Sequence, residues 1–210
     1  MPPTNPSVSR LRFDLQIIAD WIAPHTRVLD LGCGEGELLF YLKTHKQVIG
    51  AGIEHREARV AQCIQKGLTV LQGDINAEIG DYPDNAFDYV VLSQTLQQVY
   101  EPAKLIVSML RIGKRGIVSF PNFSHWGVRL QVLLSGFAPV TRQLPYQWYN
   151  TPNIRVITLK DFRRFSRQVG FRIIKEVAIN TQNEDRHGMI THALPNLRAT
   201  YGIFLIGKRE

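Results

Sequence analysis

Arg27–Val28–Leu29–Asp30–Leu31–Gly32–Cys33–Gly34–Glu35–Gly36 reads as a short buried strand that runs into a tight glycine turn and then a helix. Val28, Leu29 and Leu31 are the apolar strand positions, and glycines at 32, 34 and 36 give G-x-G-x-G with Asp30 two residues before the first. Glycine lets the backbone reach positive φ and lets a ligand lie against bare main chain. A dinucleotide fingerprint, G-x-G-x-x-G, would need glycine at position 37, where the chain has Glu37. No Gly-Lys-Ser/Thr follows, so a P-loop is excluded. Read alone, such a turn also serves as a purely structural connection.

Outward from this turn the chain alternates strand and helix patterns at the spacing of a parallel sheet. A helix is expected around Phe13–Trp21, ahead of the first strand, and another from about Glu37 to Lys43 after it. Gln47–Ile53 reads as a strand ending at Glu54, Glu57–Lys66 as a helix closed by Gly67, and Leu68–Leu71 as a third strand. Phe87–Leu92 and Gly116–Phe120 are further strands on either side of a helix at 102–110. Leu159–Val169 is helical and stops at Gly170. Arg172–Ile179 and Tyr201–Gly207 then read as an antiparallel hairpin at the sheet edge, for seven strands in one domain over 1–210. Pro121–Val156 is too long for an ordinary connection and holds Trp126, Phe137, Tyr146, Trp148 and Tyr149. It is expected to act as a cap or as a partner surface.

Composition narrows the classes. The chain has 210 residues, 44% hydrophobic and 20% charged, ordinary for a globular protein. No run approaches the roughly 20 apolar residues of a membrane span. Met1–Pro6 has no basic segment followed by an apolar one, so a loose arm, no secretory signal and a cytoplasmic location are expected. Cys33 and Cys63 carry no metal-ligand spacing, and His187 and His192 lack companion ligands, so no metal site is expected and 186–192 reads as a flexible loop. The net charge of +7 is dispersed, and its densest group, Lys160, Arg163, Arg164 and Arg167, reads as the solvated face of an amphipathic helix. Nucleic-acid binding is not expected.

Candidate ligand groups fall at the carboxyl ends of successive strands, where open α/β sheets bind ligands. Glu54 lies 18 residues after Gly36, suited to ribose hydroxyls. Asp74 suits an adenine amine, with Ile75 as apolar wall, and Ser93–Gln94 end the fourth strand. The motifs Asp30–Gly36, Glu54, Gly73–Asp74 and Pro83–Val90 resemble those of class I S-adenosylmethionine (AdoMet)-dependent methyltransferases. Leu92–Gln97, Ser119–Trp126 and Leu144–Arg155 are similar to the MetW family of methionine-biosynthesis proteins. This resemblance implies a Rossmann-like three-layer α/β sandwich with a mostly parallel seven-stranded sheet and an antiparallel last strand. It implies AdoMet or S-adenosylhomocysteine held by Asp30, Gly32, Cys33, Gly34, Gly36, Glu54, Asp74, Ile75 and Ser93. It also implies action beside the homoserine O-acyltransferase MetX.

Methyl transfer to a protonated nucleophile needs a base. Many small-molecule methyltransferases of similar pattern have His after the fourth strand, where this chain has Gln98. No catalytic residue is assigned. His125, Tyr146 and Tyr149 are the remaining base candidates; with Trp126, Trp148 and Arg155 they are also candidates for cap or partner contacts. Two readings follow: an AdoMet-binding partner that supports or regulates the acyltransferase, and a methyltransferase acting on a small molecule.

Overall fold

The computed structural model describes residues 11–182 and 187–209. The arm expected over 1–6, and Arg186, lie outside them. The strands are β1 (Arg27–Leu31), β2 (Ile49–Glu54), β3 (Thr69–Gln72), β4 (Phe87–Ser93), β5 (Gly113–Pro121), β6 (Phe171–Gln182), β7 (His187–Ile190) and β8 (Tyr201–Lys208). They form one eight-stranded sheet in the order β3-β2-β1-β4-β5-β8-β6-β7. From β3 to β5 all pairings are parallel, whereas β8 runs antiparallel to both β5 and β6.

Two expectations are corrected here. The late strands do pair antiparallel, but not as an edge hairpin: β8 enters the sheet between β5 and β6. The stretch read as a flexible loop contains an eighth strand, β7, paired antiparallel with β6 at the sheet edge. Gly188 lets β7 pass close to the ring of Phe13 in the first helix, which a Cβ there would strike.

The helices are α1 (Phe13–Trp21), α2 (Glu37–Lys46), α3 (Glu57–Gln65), α4 (Ile75–Glu78), α5 (Pro102–Ile112), α6 (Trp126–Ser135), α7 (Leu159–Val169) and α8 (Pro195–Arg198). Successive strand residues point to opposite faces of the sheet, so the inner strands feed two cores. On one face Leu29, Leu31, Leu92, Phe120 and Phe204 pack with α5 and α7. On the other, Val28, Val91, Ile117, Ile203 and Leu205 pack with α1 and α2. This is the three-layer α/β architecture of class I methyltransferases.

Local chemistry sets the helix ends. α7 opens on a reciprocal capping box between Thr158 and Asp161, and closes on Gly170 at φ 89°. Its basic face is less free than the spacing suggests, because Arg163 donates through Nε and Nη2 to Glu176 on β6 at 2.9 and 2.6 Å. α6, unexpected from sequence, starts where His125 Nδ1 accepts the Gly127 N–H and ends at Gly136, φ 71°. No helix among the described residues is long and apolar enough to cross a membrane.

The parallel registers pair Leu31 with Ile53, Glu54 with Gln72 and Ser93 with Ser119. The ends of β1 to β5 therefore meet along one carboxyl edge, which positions the site.

Candidate functional site

Beyond β1 the backbone is tied to its neighbour: the N–H groups of Gly32 and Cys33 both donate to the Ile53 carbonyl, at 2.8 and 3.2 Å. The turn then passes through Gly34 at φ 58°, where an added Cβ would meet nothing within 4 Å. That position opens onto empty cleft. Gly36, by contrast, lies against Cys63 and Leu68, so its role is packing. Cys33 is a small buried filler between the glycines, and burial pushes its thiol pKa up, which makes it a poor nucleophile.

Asp30, Gly32, Cys33, Gly34, Glu54, Asp74, Ile75 and Ser93 line a single cleft of about 640 Å³. Gly36 is not among its lining residues. Tyr146 and Pro152 reach the cleft from the 121–156 insertion, together with Gln98 and Val99 from the loop after β4. His125 instead lines a second cavity of about 200 Å³ with Asn122, Val128 and Leu144. Burial lowers its imidazole pKa, and Nδ1 is engaged by the Gly127 N–H. Trp126, Trp148, Tyr149 and Arg155 do not line the cleft; the three aromatics are exposed.

Each carboxylate has a distinct setting. Glu54 is buried; its Oε2 accepts the Gly34 N–H and its Oε1 the Arg56 N–H, both at 2.9 Å. A carboxylate oxygen has two lone-pair sites, so acceptor capacity is left for a diol. Asp74 caps α4 by accepting the Asn76 N–H at 2.7 Å. Ser93 Oγ shares a hydrogen bond of 3.0 Å with Ser119 Oγ. Asp30 is different: it is buried, and its Oδ1 has no hydrogen-bond partner among the described residues. Burial raises its pKa to about 7; Arg12 draws it down and Glu54 pushes it further up.

Sequence reasoning missed Arg12. It lines the cleft and engages Asp14 through Nε and Nη2, each at 3.2 Å. Asp14 is buried at the head of α1 and also accepts from Gln94 Nε2 at 2.7 Å. Gln94, at φ 51°, holds the left-handed turn after β4. The loop after β4 and α1 are thus one polar assembly. A single Arg before a helix carries no motif, so only the fold brings it to the cleft.

The fit to a cationic nucleoside is direct. Gly34 carries no side chain at the turn, and Glu54 offers acceptors at the second strand end. The buried Asp30 carboxyl has an oxygen with no hydrogen-bond partner among the described residues, a setting that suits a donor or a positive charge. The size lies within the range of small-ligand sites.

Comparison with known proteins gives the family. Residues 12–206 match the family described as methionine biosynthesis protein MetW. The chain is 33% identical over 184 residues to the bifunctional methionine biosynthesis protein MetXA/MetW of Rhodopirellula baltica, covering 83% of this chain and 30% of that protein. It spans between 30% and 52% of the length of the curated relatives it matches. A similar solved structure is a SAM-dependent methyltransferase from Archaeoglobus fulgidus, with TM-score 0.69 and 16% identity over 92% of this chain and 91% of that one. Another is the [4+2]-cyclase SpnF, with TM-score 0.65 and 19% identity over 92% of this chain and 80% of that one. At such identities the likeness shows the fold alone. With a class I methyltransferase fold and a family match over nearly its whole length, the chain belongs to the MetW family of methionine biosynthesis proteins.

Proposed function

We propose that this chain binds S-adenosylmethionine in the glycine-turn cleft and acts with the homoserine O-acyltransferase MetX, supporting or regulating it. The observation that carries the reading is the placement of the 121–156 insertion. Tyr146 and Pro152 line the cofactor cleft, while Trp148 and Tyr149 of the same segment face solvent. A ligand that settles under Tyr146 therefore acts on a segment whose outer side is free for a partner. Occupancy and association are coupled only if the ligand binds the free and complexed forms with different affinity. The fusion of the two functions in the Rhodopirellula baltica relative supports the partnership.

Within the cleft, Gly32 and Gly34 admit the ligand to the backbone, Glu54 takes the ribose hydroxyls and Asp74–Ile75 the adenine. Asp30 takes the α-ammonium group and Arg12 the α-carboxylate. When bound, AdoMet supplies an electrophilic methyl group on sulfur. The chain has Gln98, which cannot accept a proton, where many related enzymes have a histidine. That favours a sensing role. The second reading, methyl transfer to a small molecule under the insertion, is favoured by one observation: the Tyr146 phenol lines the cleft.

Calorimetry with AdoMet and with S-adenosylhomocysteine, in the presence and absence of the acyltransferase, tests this. Affinity that shifts with the partner is expected. No binding of either ligand overturns the cofactor assignment, and partner-independent affinity overturns the regulatory one. Release of labelled methyl groups into homoserine-pathway metabolites would establish the enzyme reading instead.

A further inference from the structure

α6 is turned inside out. On an amphipathic helix the apolar stripe ordinarily faces the core. Here Trp126, Leu130, Leu133 and Leu134 fall at i, i+4, i+7 and i+8, one stripe by helical spacing. That stripe faces solvent: Leu133 is 80% and Leu134 75% exposed. Phe137, just past the Gly136 cap, is 75% exposed and extends the apolar surface. Val128, on the opposite side, is the buried residue of the helix. A stripe of this size left open on a folded chain marks an interaction site.

Its charge surroundings say what covers it. Between Glu101 and Asp161 the sequence contains no carboxylate side chain, whereas Arg129, Arg142 and Arg155 lie within the insertion. Arg129 is hydrogen-bonded back to Ser124 but has no carboxylate partner among the described residues. Pairing α6 with α6 of a second copy would join two segments that carry cations and no carboxylates of their own. A membrane-surface helix would carry a strongly basic polar face, and α6 has one Arg and no Lys. The pattern suits an apolar groove rimmed by carboxylates, filled by a helix through i, i+4, i+7 anchors.

We infer that α6 is the docking helix of this chain, and that its Trp126–Leu130–Leu133–Leu134 stripe seats in an acid-rimmed apolar groove on the homoserine O-acyltransferase. This rests on the partnership proposed above and adds the surface that makes it. The insertion then meets the partner mainly through α6, while the stretch around Tyr146 and Pro152 covers the cofactor on its inner side and turns Trp148 and Tyr149 outward towards the same partner.

The test uses the full chain and the acyltransferase of the same organism. Leu133→Asp and Leu134→Asp, singly and together, change exposed side chains, so circular dichroism and thermal melting should match wild type. The double variant should bind the acyltransferase about 100-fold more weakly with AdoMet affinity unchanged. Arg129→Glu should weaken binding and flatten its salt dependence. If wild type binds and the double variant binds equally well, the docking assignment fails and the partnership stands. If wild type does not bind the acyltransferase, both fail. Sedimentation that shows a wild-type dimer split by Leu133→Asp, or anionic vesicles captured by wild type and not by the variant, overturns the assignment in favour of a second copy or a membrane.

Discussion

The Glu54 carboxylate accepts the Gly34 N–H at 2.9 Å, so the end of the second strand grips the middle of the glycine turn. The carboxylate proposed to take a ribose diol thus also holds the glycine turn in place. Glu54→Gln leaves one oxygen for two N–H donors, Gly34 and Arg56, and turns an amide NH2, itself a donor, towards one of them. An unsatisfied buried group costs about 1–3 kcal/mol. Urea denaturation should show a loss of that size, and calorimetry a loss of AdoMet affinity of at least about tenfold.

Under the proposed assignment Arg12 meets only the amino-acid half of the ligand. Arg12→Ala should weaken AdoMet binding by about tenfold or more, consistent with one charge-assisted contact. Binding of 5′-methylthioadenosine, which lacks the amino-acid part, should be unchanged. Equal loss for both ligands would mean that Arg12 only braces α1 through Asp14.

Asp30 makes the site sensitive to pH. Its carboxyl is raised to about 7 by burial, against roughly 3.9 in an unfolded chain. As pH rises from about 4 to 7 the unfolded chain releases this proton first, so ligand-free stability falls across that window. Asp30→Asn removes this slope and should raise the melting temperature at pH 8 without raising it at pH 4. A bound cation favours the ionised carboxyl, so wild-type AdoMet affinity should increase between pH 6 and 8. The Asn variant should bind weakly at both.

The legible part of the site was the part made by local chemistry. Gly34 and Glu54 could be proposed from sequence because a glycine turn after a strand and an acid at a strand end are each written in a few consecutive residues, although the two lie 20 residues apart. Arg12 was silent because its place depends on α1 packing against the sheet. α6 was silent for two reasons. Its cap is a histidine, outside the usual Ser, Thr, Asp and Asn, and its apolar stripe serves the surface, so the usual reading of pattern as core does not apply. β7 was missed because it is four residues long and largely exposed, and the position of β8 because strand order in space need not follow strand order in the chain.

Arg155 pins the end of the insertion to the loop after β4. Its backbone N–H donates to the Gln97 carbonyl at 3.0 Å, and its side chain donates to Val99 and Tyr100 carbonyls at 3.4 and 2.6 Å. Arg155→Ala should speed amide exchange over 144–156 and lower AdoMet affinity a few-fold, while the global melting temperature barely moves.

Trp148 should report on the partner instead. It packs edge-on against Tyr149, and both rings are exposed. Trp148→Ala should weaken association with the acyltransferase more than it weakens AdoMet binding. Unchanged co-purification would count against a partner role for this segment.

The position of β8 between β5 and β6 governs how the molecule can be made. During synthesis β6 and β7 emerge first, yet β6 joins the rest of the sheet only through β8. Before β8 is in place, the β6–β7 pair has no strand linking it to β5, and each core lacks its share of Tyr201–Ile206. Closure of the sheet therefore waits on a non-local pairing, and until it forms the apolar faces of both cores are open to aggregation.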